Sequence, residues 1–273
     1  MQPEQATIAE RALRPGVVMA LVGATLGAWM LVVARMRGMD TGPSTDLGSA
    51  GWYLGLWVTM MAAMMLPSAT PMVLLFSKLA SGSARRPGLA TALFVGGYLI
   101  AWTAYGLVAY GLFRLVRGVD PSFLAWDRAG PEVTGAAIAL AGVYQLTPLK
   151  RTCLRHCRTP LSFFMHHWHK GPAGAVRMGA EHGAWCIGCC WALMVVLFAV
   201  GVMSITWMVV VAAIVFAEKV LPVGEGVAQA LAVVLVAFGI WVAVAPGSVP
   251  GLTRPGSEMK MREMLPPSAL PLS

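Results

Sequence analysis

Long apolar segments are the feature that most restricts how this chain can fold. An α-helix needs about 20 mostly apolar residues to cross a hydrocarbon core roughly 30 Å thick. Seven segments are candidates for such a crossing, and together they cover most of the chain. They are Val17–Ala34, Trp52–Phe76, Leu89–Phe113, Val133–Leu146, Ala184–Met203, Ile205–Ala217 and Val223–Ala245. We therefore expect most of the chain to lie in lipid.

The composition and the backbone chemistry decide what form these segments take. Only 12% of the 273 residues are charged and 58% are hydrophobic, whereas soluble domains carry about 25% charged residues. In lipid, backbone polar groups must pair internally, which leaves helices or closed barrels, and the sequence has no alternating barrel pattern. We predict an all-α membrane protein, a bundle of about seven transmembrane helices. The fourth and sixth segments are short, so six helices span if one of them is re-entrant.

The chain is predicted to form one transmembrane helical domain, residues 15–246, between tails at 1–14 and 247–273. The first segment follows two arginines like a signal sequence, but no small-residue cleavage site follows it, so we expect a retained helix. The distribution of Lys and Arg modestly favours an N-terminus in the cytoplasm. The net charge of +8 is scattered between the spans, which fits orientation in a membrane and not nucleic-acid binding. Two glycine pairs, Gly23/Gly27 and Gly51/Gly55, offer faces for close helix packing.

The chemistry-bearing residues are concentrated in one place. All five cysteines and all five histidines lie between Cys153 and Cys190. Most of this stretch belongs to the longest predicted loop, residues 148–181, and the rest opens the fifth span. Packing alone does not account for such a concentration, so we expect the functional site here.

The first group in this stretch is Cys153, His156 and Cys157. Thiolate and imidazole are donors that suit zinc, copper or iron, and the neighbouring arginines are expected to lower the thiol pKa values. If this part of the chain is helical, the three side chains share one face. The alternative is a basic interfacial loop with incidental thiols.

Two further groups follow downstream. The cluster His166, His167 and His169 fits a loop ligand set better than a helix face, and a solvated surface cluster is an equally good interpretation. The last group is spaced so that all four side chains fall on one helix arc of about 100°. Its members are His182, Cys186, Cys189 and Cys190. A lone buried cysteine is usually a small hydrophobe, but three with a histidine on one arc indicate a functional site.

The second span carries four methionines, Met60, Met61, Met64 and Met65, on an arc of about 140°. Thioethers favour soft ions such as Cu(I), although methionine is also an adaptable core filler. Separately, the pair Glu218-Lys219 lies near the end of the sixth span. Ionisable residues at membrane depth usually mark function, but we expect this pair to snorkel to the interface.

Three motifs in order resemble a bacterial family of uncharacterised, predicted metal-binding integral membrane proteins. The motifs are Met-Met-Ala-Ala-Met-Met-Leu-Pro at 60–67, Tyr144-Gln145-Leu-Thr-Pro148-Leu-Lys150-x-x-Cys153, and Gly183-x-x-Cys186-x-Gly-Cys189-Cys190-Trp191. The resemblance covers about Trp52 to Pro222. It implies a multi-pass protein of the bacterial inner membrane and metal binding at the matching cysteines, and it implies no substrate or reaction.

The leading functional hypothesis is a membrane metal site for metal handling or metal-dependent redox chemistry. Its candidate ligands are Cys153, His156, Cys157, His182, Cys186, Cys189, Cys190, Met61, Met64 and Met65. Copper is the preferred ion, because thiolate, imidazole and thioether donors occur together, while zinc and iron stay open. The expected partners are the lipid bilayer and a protein that donates or receives the metal.

Two alternatives stay open at this point. One is a membrane thiol–disulfide oxidoreductase that couples Cys186/Cys189 to Cys153/Cys157, with a membrane quinone as a candidate acceptor. The other is a structural subunit in which zinc fixes a loop, and transport of an ion through the bundle ranks below both. No residue is assigned a catalytic role, and whether the protein is an enzyme is left open.

Overall fold

The computed structural model describes residues 15–37, 48–119, 130–200 and 204–245. Within these ranges the chain forms nine helices and no strand, which confirms the all-α prediction for this part of the chain. They are α1 (Pro15–Met36), α2 (Ala50–Ser83), α3 (Pro87–Val119), α4 (Gly130–Gln145), α5 (Pro148–Arg158), α6 (Pro160–His167), α7 (Gly171–Val200), α8 (Ile205–Val220) and α9 (Gly224–Val244). The predicted tails, 1–14 and 247–273, lie outside the described residues.

Five of these helices are long and apolar enough to cross a membrane: α1, α2, α3, α7 and α9. The two short predicted spans correspond to α4 and α8, which have 16 residues each. At 1.5 Å per residue each rises only about 24 Å, which is less than the roughly 30 Å of a hydrocarbon core. The predicted count of about seven spans, or six, is therefore corrected to five among the described residues.

The outer surface of the bundle is apolar, as contact with lipid requires. Met30 on α1, Val108 on α3 and Val233 on α9 are each about 70% exposed, at 69%, 71% and 69%. Soluble proteins rarely expose large contiguous apolar patches. The long apolar helices and this surface are compatible with a membrane location.

Helices α3 and α7 run parallel and pack in unusually close contact. The backbone at Gly97 lies so near the Val176 carbonyl that a Cβ atom at Gly97 would overlap with it, and Gly179 approaches the Phe94 carbonyl in the same way. Further along the two helices, Tyr105 donates a hydrogen bond to a carbonyl of α7 over 3.4 Å. Small residues let helix backbones approach at this distance.

A second close interface joins α4 to α9 through Gly135 and Gly239. The glycine pairs that we expected to serve this purpose do not. A Cβ atom at Gly23, Gly27, Gly51 or Gly55 would meet no neighbour within 4 Å. That expectation was wrong because spacing alone does not say which face of a helix meets a partner.

The segment 148–181 is mostly helical and not the loop expected from the sequence. It contains α5, α6 and the first turns of α7, which begins at Gly171, ahead of the predicted start of the fifth span. Thr147 caps α5 by accepting a hydrogen bond from the Lys150 backbone N–H at 3.3 Å, and Pro148 occupies its first turn, a favoured position for proline. Helix α5 then lies against α4, α7 and α8, and this contact builds the candidate site.

The close contact of α3 with α7 yields a test with a matched control one residue away. Gly97→Ala is expected to destabilise the protein by about 1–3 kcal/mol, because the added methyl group overlaps with the Val176 carbonyl. Gly96→Ala meets no neighbour and should leave stability unchanged or raise it by up to about 1 kcal/mol through helix propensity. Thermal unfolding in detergent micelles measures both, and equal midpoints for the two variants would contradict this packing.

Candidate metal centre

Helix α5 presents one face to α7, and that face carries the first predicted ligand group. The Cys153 sulfur lies against Gly188, and the His156 ring stacks on Trp185 with centroids 4.0 Å apart. Cys157 contacts Cys189, the residue after Gly188. The prediction that Cys153, His156 and Cys157 share a helix face is therefore confirmed.

Three thiols meet where α5 crosses α7. The Cys157 sulfur lies 3.8 Å from the Cys189 sulfur, and the Cys189 sulfur lies 3.4 Å from that of Cys190. Cys189 and Cys190 are buried, whereas Cys157 is half-buried. All five cysteines of the chain are free thiols. Two thiolates bound to one ion with metal–sulfur bonds of about 2.3 Å lie roughly 3.8 Å apart in tetrahedral geometry, so the donor set is of a kind and spacing that suits a thiophilic ion.

Cys186 lies one turn before Cys189, near the Cys189 and Cys190 thiols, and has two further neighbours. Its sulfur accepts a hydrogen bond from the Lys219 ammonium at 2.8 Å and lies 3.0 Å from the Tyr98 hydroxyl. Lys219 comes from α8 and Tyr98 from α3, and all three side chains are buried. The thiol therefore has a positive charge beside it in a medium where charges are weakly screened.

A buried ion pair fixes α5 at this position. The Lys150 ammonium donates to the Glu218 carboxylate at 2.6 Å and to the Cys189 carbonyl at 2.7 Å, and both charged side chains are only 1% exposed. Burial lowers the pKa of Lys150, but the charge and hydrogen bond of Glu218 and the nearby Cys190 and Cys189 together outweigh it, so the pKa is raised from its usual value. One side chain thus ties α5 to both α7 and α8.

Two expectations about charge are corrected by these contacts. Glu218 and Lys219 do not snorkel to an interface, because both are buried and bind partners inside the bundle. The arginines near Cys153 do not lower the pKa of its thiol. Burial raises the pKa of Cys153, and the opposing effect of Lys150 is smaller.

His182 is brought close to Cys186 but is surrounded by aromatic rings. It stacks on Tyr98 at 5.5 Å between ring centroids and lies near Phe94 and Phe163. Its Nδ1 atom is buried without a hydrogen-bond partner among the described residues. His182 and Cys186 both contact Tyr98, which agrees with their predicted position on one face of α7.

The downstream histidines do not converge. His166 and His167 belong to α6, where each Nδ1 atom pairs with a carbonyl one turn back in the same helix, at 2.8 and 3.1 Å. His169 lies after this helix, 4.0 Å from the Glu181 carboxylate. The helix replaces the loop on which the predicted convergence depended, and it separates the three rings.

The methionines of α2 are all buried. Met60, Met61, Met64 and Met65 are each at most 1% exposed, and they belong to the same apolar cluster as Cys186 and the other buried cysteines. Thioethers and thiols thus share one core. Their role as ligands stays a prediction.

Across the described residues, no group of three or more His, Cys, Asp or Glu side chains already has the arrangement of a metal site. Cys157 and Cys190 each contact the Cys189 sulfur, and the Cys186 sulfur lies near the Cys189 and Cys190 thiols and is held by Lys219 and Tyr98. A bound ion would therefore require small side-chain rotations to complete its coordination.

Sequence reasoning missed the side chains that surround the thiols. Lys150 lies in the second motif of the family resemblance, and a charged residue preceding a cysteine in an apolar chain is a usable signal. Tyr98 carried no signal, because it lies 88 positions from Cys186. The same holds for Tyr144, whose hydroxyl donates to the Gly188 carbonyl beside the thiols.

A family model described as "PpoB2: Copper chaperone" matches residues 54–242, more than half of the chain. No curated protein and no solved structure matches. The matched range includes all five cysteines and the residues that surround them.

The Lys150–Glu218 pair can be tested against an exposed pair in the same region. Glu218→Gln should cost about 3–5 kcal/mol of unfolding free energy, because it leaves the buried Lys150 charge without its partner. Glu225→Gln removes a carboxylate that lies 3.7 Å from Arg155 with both side chains more than half exposed, and should cost less than about 1 kcal/mol. Chemical unfolding in detergent measures both values. A Glu218→Gln variant as stable as Glu225→Gln would show that the pair does not hold α5 in place.

Proposed function

The chain belongs to the copper chaperone family PpoB2, and on that premise we propose that it carries Cu(I) as cargo on the thiols between α5 and α7. The metal-related character of the family expected from the sequence motifs is confirmed by this membership. We also propose that the protein is a multi-pass protein of the bacterial inner membrane. The five long apolar helices and the exposed aliphatic side chains of α1, α3 and α9 support that location.

The observation that carries the proposal is the contact of the Cys157, Cys189 and Cys190 sulfurs. Their separations of 3.8 and 3.4 Å are close to the spacing of thiolates that share one ion. Thiolate is the soft ligand that selects Cu(I) among the common cellular cations. The family's copper description favours copper over the zinc and iron that the sequence left open.

Lys219 balances the charge that bound Cu(I) and its thiolates would bring into the apolar core. Two thiolates and one Cu(I) ion carry a net charge of −1, and an uncompensated charge is costly in an apolar interior. The Lys219 ammonium, 2.8 Å from the Cys186 sulfur, supplies the opposite charge. Lys150 does not serve this purpose, because Glu218 already neutralises it.

The exposure of the thiols supports transfer as well as binding. Cys157 is half-buried, while Cys189 and Cys190 are about 1% exposed. A partner thiol therefore has access to Cys157 first, and the ion passes between proteins through one ligand exchange at a time. The partner in this proposal is a protein that donates or receives copper. A site without a complete preformed ligand geometry suits release.

The other predicted ligands have no comparable support. Cys153 lies against Gly188 and His156 on Trp185, and His182 lies among aromatic rings. These residues and the three methionines stay predictions. In the described part of the chain, no observation favours the thiol–disulfide alternative.

Copper retention tests the cargo site directly. Protein loaded anaerobically with excess Cu(I) and then desalted should keep about one equivalent of copper, measured by elemental analysis against protein concentration. Cys189→Ser should keep well below one equivalent, because it removes the thiol that contacts both others. His166→Gln on the exposed surface of α6 is the control and should match the wild type.

The retention experiment has a clear negative result. A folded Cys189→Ser variant, judged by a thermal unfolding midpoint near that of wild type, that keeps as much copper as wild type would overturn the proposed site. Release is tested with an apo copper-binding protein in the same buffer, which should take up the ion from loaded wild type within minutes.

The role of Lys219 can be separated from that of the thiols. Lys219→Met should weaken Cu(I) binding by about tenfold or more, because the loaded cluster then keeps an uncompensated negative charge in the core. Competition with a chromogenic Cu(I) chelator measures the affinity. Lys78→Met, which removes an exposed lysine of α2, is the matched control. Equal affinities for the two variants would contradict the proposed charge balance.

A further inference from the structure

A large cavity lies apart from the thiols, at the end of the bundle where α3 and α7 begin. Its volume is about 840 Å³, and its walls come from the last turns of α2, the first turns of α3, the α6–α7 connection and the start of α7. The parallel packing of α3 on α7 brings these chain segments to the same end of the molecule. Neither the family description nor the copper proposal assigns a role to this cavity.

The inner part of the cavity is apolar. Phe76, Leu93 and Met178 line it, and Phe76 and Met178 are almost fully buried. Trp168 contacts Phe76 with ring centroids 6.0 Å apart and forms a side wall. Phe76 lies seven residues before Ser83, which lines the outer end of the cavity, so the apolar wall extends about 10 Å along α2. A wall of this length fits a section of hydrocarbon chain.

The mouth of the cavity is cationic. Arg85 and Arg86 come from the α2–α3 connection and Lys170 from the α6–α7 connection, and all three line the mouth. No Asp or Glu is among the residues that line the cavity, and no carboxylate of the described residues forms an ion pair with these three cations. Positive charge from two separate connections thus converges on one opening.

The position of the mouth relative to the spans indicates where its ligand comes from. Both connections join helices at the end of a predicted span, which is the level of lipid headgroups. Arginine binds phosphate oxygens in paired hydrogen bonds, and basic clusters at this level attract anionic lipids. We propose that the cavity is a binding site for an anionic phospholipid, with the phosphate between Arg85, Arg86 and Lys170 and one acyl chain along Phe76, Leu93 and Met178.

The direct test measures lipid binding to the delipidated full-length protein in detergent by native mass spectrometry. Phosphatidylglycerol should bind at least about tenfold more tightly than phosphatidylcholine, because only the former has a net negative charge. Inorganic phosphate should compete poorly, because it has no chain for the apolar wall. These two comparisons use wild-type protein, so they do not depend on how any variant folds.

Variants then locate the site. The triple variant Arg85→Gln, Arg86→Gln, Lys170→Gln should abolish the preference for phosphatidylglycerol. The matched control removes three arginines from the opposite end of the bundle, Arg35→Gln, Arg37→Gln and Arg114→Gln, and should keep it. Ala90→Phe places a ring in the cavity with all mouth cations present, and should lower lipid binding by about tenfold.

Each outcome bears on the proposal. Loss of the preference in the first triple variant and in Ala90→Phe, with the control unchanged, supports an anionic lipid site. Equal loss in both triple variants would overturn it in favour of unspecific surface attraction. Equal binding of both lipids would replace it with a site for a neutral amphiphile, and strong competition by inorganic phosphate would replace it with a site for a free anion.

Discussion

The buried Lys150 ammonium is the contact on which the candidate site depends. It donates to the Glu218 carboxylate at 2.6 Å and to the Cys189 carbonyl at 2.7 Å, so a single side chain joins α5, α7 and α8. Without these partners, a lysine that is 1% exposed would carry an uncompensated charge in an apolar bundle. The position of α5 follows from this requirement, and the contact of Cys157 with Cys189 follows from the position of α5.

The core contains two buried lysines, and their charges have different partners. The Lys150–Glu218 pair is neutral by itself and serves to hold the helices together. Lys219 donates to the Cys186 sulfur and lies near the other thiols of the site, and His182 and Glu218 are also close enough to interact with its charge. This division explains how one small region can contain two buried lysines, each with its own set of partners.

The close backbone contact between α3 and α7 links the two regions of interest. It sets Tyr98 beside Cys186 at one level, and the large cavity lies nearer the starts of both helices. Aromatic rings fill the space between them, with Phe94 in contact with both Phe76 of the cavity and His182 above it. The glycines at 97 and 179 make this contact possible, because a side chain at either position would collide with the opposite backbone.

The sequence alone determined the class of fold and the candidate donor atoms. Apolar length required helices, because lipid offers the backbone no other partners, and the crowding of cysteine and histidine between Cys153 and Cys190 indicated a candidate site. Helical spacing also placed Cys153, His156 and Cys157 on one face. These features are local in the chain, so periodicity and composition are sufficient to detect them.

Only the tertiary structure decided which of those donors meet and what surrounds them. Cys157 and Cys189 are 32 positions apart, and the partners of Cys186 come from positions 98 and 219. Sequence spacing holds no information about such contacts, since they depend on which helix faces pack together. For the same reason, Glu218 and Lys219 were expected at the membrane interface but lie in the core. Close helix packing was likewise expected at other glycines but occurs at Gly97. A buried charge needs a partner, but only the packing of the helices shows which residue provides it.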